Sequence, residues 1–420
     1  MGPRIFVLAD WYLPGYKAGG LVTSVANVVE SLGDSFEFFV ITRDRDLTDA
    51  QPYPGVHCNE WASTGKARVV YTVDFSFRHL RKRIIEIAPD VIYLNSFFSV
   101  LTIKTLCMRS LGLLPDCAIV LAPRGEFSPG ALELKRWRKW LYRNLALRGG
   151  LYHDLVWHAS SELERVHIEA VLHRMGLKHS CVRVAWELPD PDWLRITNGP
   201  AKPAKAPGAA RFLFLSRISP KKNLLFALDV LGKLTGHVEC DVVGPIDDHT
   251  YWQECEKRAK TLPGNVSVDY RGAIPRAIVP QVASEYHFFL LPTLGENFGY
   301  AILEAMASGC PVILSDRTPW RDATERGLGW SLPLEDRELW RRVLQQCVDM
   351  DQQAYTTFSL RAREFVETWT TSNNHHHETV QLFNLALNRQ GPPKPPDPLG
   401  ESAGVREKCA GGNSPGPGRA

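Results

Sequence analysis

The chain has 420 residues, of which 44% are hydrophobic and 23% are charged, and its formal net charge is +3. This balance is typical of a folded protein and excludes a strongly basic nucleic-acid-binding chain, so we expect no nucleic-acid partner. Because the chain exceeds the size that one hydrophobic core usually serves, we expect two domains of roughly 150–200 residues each.

The nine cysteines are scattered and form no Cys-x-x-Cys pair, which favours reduced thiols in a cytoplasmic protein. The first apolar run, from Ile5 to Ala9, is too short for the core of a signal peptide. No later run reaches the roughly 18 apolar residues of a membrane span. We therefore expect a cytoplasmic protein, with peripheral contact to the inner face of the plasma membrane left open.

Residues 1–190 alternate predicted strands with predicted helices, which favours a Rossmann-like domain on a doubly wound parallel sheet. The predicted strands cover residues 4–9, 37–42, 69–72, 90–94, 118–122, 155–160 and 182–186. The predicted helices begin at residue 21 and cover residues 77–88 and 101–111.

A glycine pair, Gly19 and Gly20, lies between the first predicted strand and its helix. Glycine lets the backbone approach a ligand closely at a helix start, although the same pair could form a simple tight turn. The loop lacks the Gly-x-Gly-x-x-Gly spacing of dinucleotide-binding dehydrogenases, which disfavours that function.

The segment from Leu132 to Arg148 predicts a helix with six basic side chains beside Trp137 and Trp140. Such a helix could lie on an anionic membrane surface. Alternatively, its tryptophans could pack inward, as the apolar stripe of any surface helix does. The sequence leaves both interpretations open.

Residues 191–210 lack hydrophobic periodicity and are rich in Pro, Ala, Lys and Gly, which predicts a linker. Residues 211–370 return to the strand and helix alternation, so a second Rossmann-like domain should face the first across a cleft. Predicted strands cover residues 211–215, 241–243, 266–270 and 287–291, and predicted helices cover residues 224–234, 251–262, 339–348 and 355–369.

The end of the chain predicts a C-terminal helix over residues 371–390, which should pack back on the first domain, and a disordered tail over residues 391–420. Three consecutive histidines occupy positions 375, 376 and 377. Because consecutive residues do not share a helix face, we expect no metal site there.

The stretch from His287 to Ser315 predicts a buried strand, a loop, and a helix that begins near Gly299. Open α/β sheets bind ligands at the carboxyl ends of their strands, and the free N–H groups of a helix start favour anions. Glu296 and Glu304 are better suited to accept hydrogen bonds from ligand hydroxyl groups than to hold a phosphate.

Arg217 and Lys222 follow the first predicted strand of the second domain. A cation just before a helix opposes the helix dipole unless an anion is bound nearby. A bound diphosphate therefore explains these residues better than the alternative, in which Lys221 and Lys222 are solvated side chains at a helix start.

The segments SRISPKKN at residues 216–223 and ENFGYAILEAMASGCPVILSD at residues 296–316 resemble the donor-binding signature of family 4 of the retaining glycosyltransferases. Members of that family have two Rossmann-like domains facing across a cleft, the GT-B fold. The Glu-x7-Glu spacing is the most specific part. The segments AGG at 18–20, PRG at 123–125, WHASSE at 157–162 and TPW at 318–320 extend the resemblance, and PRG followed by SPGAL is similar to bacterial members that build surface polysaccharides.

The resemblance implies roles for the charged residues. Arg217 and Lys222 would hold the diphosphate of a UDP- or GDP-linked sugar and stabilise its charge as it leaves, without a metal or other cofactor. Glu296 would contact hydroxyl groups of the transferred sugar, and Glu304 would accept a hydrogen bond from the ribose.

It also implies roles for the backbone. The amides around Asn297, Phe298 and Gly299 would face the sugar and the β-phosphate. Gly19 and Gly20 would close over the phosphates from the other lobe. The acceptor would attack from the face that the phosphate leaves, so that the anomeric configuration is retained.

One departure from the family concerns the first domain. Many members place a histidine near the sugar after the fourth main strand, whereas Arg124 stands there in this chain. His158 ends a different strand and is predicted to be a buried structural histidine. The usual Asn-Gly turn near the end of the first domain is replaced by Val184-Ala185-Trp186-Glu187.

These observations predict a retaining glycosyltransferase that acts on a glycan or lipid-linked glycan in surface polysaccharide biosynthesis. Two alternatives are a nucleotide-sugar 2-epimerase of the same fold and a non-catalytic two-lobed sugar-binding protein. The sequence does not identify the sugar, the base or the acceptor.

Overall fold

In a computed structural model, the described residues are 2–133, 150–190, 193–197, 202–372 and 374–389. They form two α/β lobes, each built on a predominantly parallel sheet, which confirms the predicted fold class. The segment at 134–149, which contains most of the predicted basic helix, and the tail at 391–420 lie outside the described residues.

The first lobe is an eight-stranded sheet with helices on both faces. Its strands are β1 Arg4–Leu8, β2 Glu37–Arg43, β3 Trp61–Thr64, β4 Ala67–Thr72, β5 Val91–Asn95, β6 Ala118–Ala122, β7 Val156–Ala159 and β8 Cys181–Val184. Its helices are α1 Gly20–Leu32, α2 Phe77–Ile87, α3 Val100–Ser110, α4 Pro129–Glu133 and α5 Glu162–Arg174. The strand order is β3-β4-β2-β1-β5-β6-β7-β8, and only the β3–β4 pair is antiparallel. The sequence prediction missed β3 and α5.

The second lobe is a six-stranded parallel sheet. Its strands are β9 Ala209–Leu215, β10 His237–Val243, β11 Val266–Gly272, β12 Phe288–Leu291, β13 Val312–Ser315 and β14 Gly329–Leu332, in the order β11-β10-β9-β12-β13-β14. The remaining helices are α6 Trp193–Thr197, α7 Leu224–Leu231, α8 His249–Ala259, α9 Val279–Ser284, α10 Tyr300–Ala307, α11 Arg337–Asp349, α12 Gln352–Thr371 and α13 Asn374–Asn388.

Strand β1 shows why the central strands are uniformly apolar. Ile5 and Val7 belong to the buried cluster on one face of the sheet, whereas Phe6 and Leu8 belong to the cluster on the other face. Since successive side chains of a strand point to opposite faces, a sheet covered on both sides needs apolar residues at every position.

The stretch predicted as a linker includes packed structure. Trp193 in α6 is buried in the core of the second lobe. The ammonium of Lys205 donates to the carbonyls of Val348 and Met350 at 2.8 and 2.9 Å, which satisfies the end of α11. The low hydrophobic periodicity of this stretch therefore did not reveal whether the connection between the lobes is packed or free.

The C-terminal helix α13 packs on the first lobe, as predicted. The ring of Phe383 lies 5.6 Å from that of Phe36 and 5.3 Å from that of Tyr93. His375 stacks on Trp369 at 4.2 Å. In the described ranges, no group of three or more His, Cys, Asp or Glu side chains could hold a metal ion. No described helix is both long and apolar enough to cross a membrane.

Candidate active site

A cavity of about 210 Å³ lies between the lobes, lined by the loops that follow β1, β6, β9 and β12. The carboxyl ends of both sheets therefore face it, as open α/β sheets do at ligand sites. It collects nine of the ten predicted site residues, namely Gly19, Gly20, Arg124, Arg217, Lys222, Glu296, Asn297, Phe298 and Gly299. Glu304 lines an adjoining cavity of about 320 Å³.

The centre of the first cavity is an ion pair between Lys222 and Glu296. The ammonium of Lys222 donates to a carboxylate oxygen of Glu296, and the two side chains are only 12% and 14% exposed. Burial by itself raises the pKa of Glu296, but the ammonium groups of Lys222 and Lys221 outweigh that effect and hold the pKa below its ordinary value. Glu296 is thus an anion at neutral pH, which suits it to accept hydroxyl hydrogen bonds.

Lys221 is a further cation on this cavity, beside Arg124, Arg217 and Lys222. Burial lowers the pKa of its ammonium to about 8. Its carbonyl accepts hydrogen bonds from the Leu294 amide at 2.8 Å and from the Thr293 hydroxyl at 3.1 Å, which tie the turn after β9 to the loop after β12. Neither Lys221 nor Lys222 is the solvated helix-start side chain of the alternative interpretation.

Arg217 lies at the rim and borders both cavities. Its guanidinium donates to Asp247 at 3.1 Å, and its side chain is 38% exposed. A cation at this position can reach a ligand that extends from one cavity into the other.

Two helix starts also face the first cavity. Gly19 precedes α1 with φ 65° and Gly299 precedes α10 with φ 87°, both in the left-handed region that favours glycine. The first N–H groups of a helix have no acceptor within the helix, so Tyr300 and Ala301 present free amides beside Lys222. Backbone amides and lysines together make an anion site.

The adjoining cavity contains a second charged cluster. Arg276 donates to Glu304 at 3.0 Å and pairs with Asp190 at 2.7 Å. Its guanidinium also lies 5.7 Å from the ring centre of Tyr300. Burial raises the pKa of Glu304, with Arg276 acting in the opposite direction. Sequence reasoning missed Arg276, because a single arginine in a short turn carries no motif.

In the first lobe, Arg124 is almost fully engaged. Its guanidinium donates to Glu187, to the Tyr93 hydroxyl at 2.7 Å, and to Asn95 at 2.8 and 3.1 Å. The side chains of Arg124 and Glu187 are 5% and 3% exposed. Four of its five N–H groups are used in this way, which leaves one for the cavity. Most of the hydrogen-bonding capacity of Arg124 is therefore used within the first lobe.

His158 continues the same network away from the cavity. The Tyr93 hydroxyl bonds its Nδ1 at 2.7 Å, and its Nε2 bonds the Ala185 carbonyl at 2.8 Å. Burial lowers the pKa of His158 to about 4, so the ring is neutral at physiological pH. This position agrees with the predicted structural role.

The two lobes are joined by hydrogen bonds at the cavity itself. Tyr300 of the second lobe donates to Glu187 of the first at 3.2 Å. Asn297 donates through its side-chain amide to the Ser160 hydroxyl at 2.7 Å. The helix start of α10 is thus held against the first lobe, and the sequence did not reveal these contacts.

Comparison with known proteins identifies the second lobe. Residues 209–348 match the family model described as Glycosyl transferases group 1. The match runs from β9 through most of α11 and includes Arg217, Lys222, Glu296 and Glu304. The family match therefore covers the second lobe, which agrees with the coarser part of the resemblance.

The chain is also similar to a phosphatidyl-myo-inositol mannosyltransferase of Mycolicibacterium smegmatis. The identity is 28% over 223 residues, which cover 50% of this chain and 56% of that protein. The match thus spans about half of the length of this relative.

Solved structures match the whole fold. Sucrose-phosphate synthase from Thermosynechococcus elongatus superimposes with a TM-score of 0.68 at 17% identity, over 92% of this chain and 100% of that one. HepE of Anabaena, in complex with UDP and glucose, gives a TM-score of 0.63 at 17% identity, over 91% of this chain and 99% of that one. The two-lobed architecture is therefore the GT-B fold.

Proposed function

We propose that the protein is a retaining glycosyltransferase that moves a sugar from a nucleotide diphosphate sugar to a hydroxyl group of a glycan or lipid-linked glycan. The group 1 domain and the GT-B fold support the activity. The UDP-bound structure of the similar HepE supports a UDP-linked donor, with a GDP-linked donor as the other option. The SPGAL segment supports a place in surface polysaccharide biosynthesis.

The observation that carries this proposal is the contrast of charge within one cavity. Arg217, Lys221 and Lys222 supply positive charge for a leaving diphosphate. Glu296 supplies an anionic acceptor beside them for the hydroxyl groups of a sugar. Since the growing charge of the leaving group is met by these cations and by the amides at the start of α10, we propose that no metal or cofactor is required.

In the adjoining cavity, we propose that Glu304 binds the ribose of the donor. Arg276 already holds the Glu304 carboxylate in place and flanks the ring of Tyr300. Gly19 and Gly20 border both cavities, so the first lobe would close over the diphosphate between them.

Retention through front-face attack is supported by the resemblance to the retaining family and by the charges of the first cavity. Arg217, Lys221 and Lys222 line that cavity and would stabilise the diphosphate as it leaves. We therefore propose that the acceptor hydroxyl attacks directly and that the leaving phosphate takes its proton.

We further propose a cytoplasmic enzyme that contacts the inner face of the plasma membrane through the segment from Leu132 to Arg148. The eight cysteines in the described part of the chain are free thiols, which supports a reducing compartment. Co-sedimentation with vesicles that contain anionic lipid, lost when the six basic residues are changed to glutamine, would support the membrane contact. Equal sedimentation with neutral vesicles would contradict it.

The function is tested by a thermal-shift screen against UDP, GDP, ADP and their sugars. A ligand at 100 times its dissociation constant should add about 2.7 kcal/mol of stability. The best donor is then incubated with acceptor glycans, and NMR of the product should show the anomeric configuration of the donor. Epimerised nucleotide sugar formed without acceptor would indicate the 2-epimerase instead. Binding without any turnover would indicate a sugar-binding protein.

A further inference from the structure

Arg43, the last residue of β2, has a side chain that contacts two aromatic rings and a carboxylate. Its guanidinium lies near two aromatic rings, 5.8 Å from the centre of Trp11 and 5.2 Å from that of Phe75. Nη2 donates to Asp10 at 3.2 Å. Nε is buried and has no hydrogen-bond partner in the described part of the chain. The side chain as a whole remains 39% exposed, so a fixed cation still faces solvent.

The position of Arg43 relates it to the cleft. It ends β2, and Arg124 follows β6, at the same carboxyl edge of the sheet. The strand order β2-β1-β5-β6 separates the two by three strand spacings, or about 14 Å. Since the loop after β1, the neighbour of β2, also lines the cavity, Arg43 lies at the edge of the cleft, where a later unit of an extended acceptor can reach it.

A second cation, Lys104, lies close to Phe75. Lys104 donates to the carbonyl of Phe75 and lies 5.8 Å from the ring centre of Phe77. The acidic groups nearby are Asp10, which pairs with Arg43, and Asp74, which faces His79 at 3.7 Å. Asp44, the next residue in the chain, is paired with Arg45. Arg43 and Lys104 thus bring two cations, together with the carboxylates of Asp10 and Asp74, beside the rings of Trp11, Phe75 and Phe77.

Arg68 is a useful comparison with Arg43, because it has similar contacts with aromatic rings but lies at another place on the sheet. Its guanidinium also lies over two rings, 5.7 Å from Phe39 and 5.7 Å from Trp61. However, Arg68 is near the amino end of β4, whereas the partner of Arg43 in the register is Thr72 at the carboxyl end. Arg68 therefore lies about 13 Å along the strand from the edge that forms the cleft.

We propose that Trp11, Arg43 and Phe75 form an acceptor subsite that binds an anionic group at a distance from the reacting hydroxyl. This inference rests on the proposed glycosyltransferase function and names the class of acceptor. The guanidinium matches a carboxylate or a phosphate in a bidentate manner, and the rings pack against the apolar face of a sugar. The anion is the carboxylate of a uronic acid unit or the diphosphate of a lipid-linked glycan.

Direct binding to chemically matched probes tests the subsite. The uronate arm compares cellobiouronic acid with neutral cellobiose, and the diphosphate arm compares geranyl-diphosphate-linked glucose with geranyl glucoside. Each is titrated into the protein in the presence of UDP and followed by saturation-transfer NMR. We expect one anionic probe to bind at least about tenfold more tightly than its neutral counterpart, and that arm identifies the source of the anion.

Arg43→Gln should abolish this preference, and the matched control Arg68→Gln should retain it. Equal binding of anionic and neutral probes to the wild type would overturn the subsite, as would a preference that survives in Arg43→Gln or disappears in Arg68→Gln. The thermal shift with UDP is measured on every variant. An unchanged shift shows that the donor cavity is intact, whereas absence of a shift in the wild type with UDP, GDP and ADP alike would contradict the proposed function itself.

Discussion

The two lobes build the cleft in different ways. The second lobe supplies its charges from two short loops, with Arg217 and Lys222 in one and Glu296 in the other. The first lobe supplies a buried network in which Arg124 and Glu187 are 63 residues apart. The charges of the second lobe lie on the cavity with few partners of their own, which suits them to ligand binding. The network of the first lobe is more deeply buried and is part of the core. Removing the two kinds of charge should therefore have different consequences.

The largest effect is expected where the network of the first lobe is broken. Arg124→Gln leaves Glu187 buried without its cation, which should lower the free energy of unfolding by about 3–5 kcal/mol. Urea denaturation measures the change. Arg165→Gln, which breaks exposed ion pairs on α5, should be far less destabilising than Arg124→Gln.

The double variant Arg124→Gln/Glu187→Gln separates charge burial from packing. It should recover at least half of the stability that Arg124→Gln loses, because no unpaired charge remains. If Arg124→Gln were no more destabilising than Arg165→Gln, the two lobes would not differ in the way described.

In the second lobe, Arg217→Gln should weaken UDP binding and leave the free energy of unfolding almost unchanged. Loss of a charged hydrogen bond to the diphosphate should weaken UDP binding by about 10- to 100-fold, measured by isothermal titration calorimetry. Stability should change by less than about 1 kcal/mol, since the pair with Asp247 lies near the surface. Arg211→Gln, an exposed paired arginine on β9 outside both cavities, is the matched control and should bind UDP normally.

The pH dependence of binding tests Lys221. Because burial lowers the pKa of its ammonium to about 8, Lys221 is charged at pH 7 and largely neutral at pH 9.5. The affinity for UDP should fall by about tenfold over that interval as the cavity loses one positive charge. Lys221→Arg stays charged throughout and should show a flat profile. A wild-type profile that is equally flat would show that Lys221 does not meet the phosphate.

The smallest effect is expected at the contact between the lobes. Tyr300→Phe removes the hydroxyl that donates to Glu187 at 3.2 Å and should lower stability by about 1 kcal/mol. Tyr270→Phe removes a hydroxyl that bonds within the second lobe, to Gly244 at 3.0 Å. Only Tyr300→Phe should increase the opening of the lobes, measured by small-angle scattering. The same scattering curve for both variants would contradict a bridging role.

Much of the fold could be predicted because local patterns determined it. The strand at 118–122 was predicted with both ends correct. The predicted helix start near Gly299 was also confirmed, and the positive φ of Gly299 explains why a glycine precedes this helix. Helix α5 was missed because its apolar positions, with buried residues at Ile168, Val171 and Leu172, form only a weak stripe among charged residues.

The residues of the candidate site differ in the same way: some belong to local sequence patterns and others do not. Residues of contiguous motifs, such as Lys222 and Glu296, could be named from the sequence and lie on one cavity. Arg276 and the network around Glu187 could not, because their partners are distant in the chain and only the tertiary structure brings them together. Nothing in the sequence predicts the lowered pKa of Lys221, which follows chiefly from burial and also from the nearby cations Lys222 and Arg217.

The central claim is that Glu296 acts on the sugar while the cations act on the diphosphate. Glu296→Gln keeps the size of the side chain and removes its charge, and Glu239→Gln, on the exposed surface of β10, is the matched control. With the donor chosen by the thermal-shift screen, kcat of Glu296→Gln should fall at least about 100-fold, while UDP binds within about threefold of the wild type. A folded Glu296→Gln variant that transfers sugar at the wild-type rate would contradict the claim.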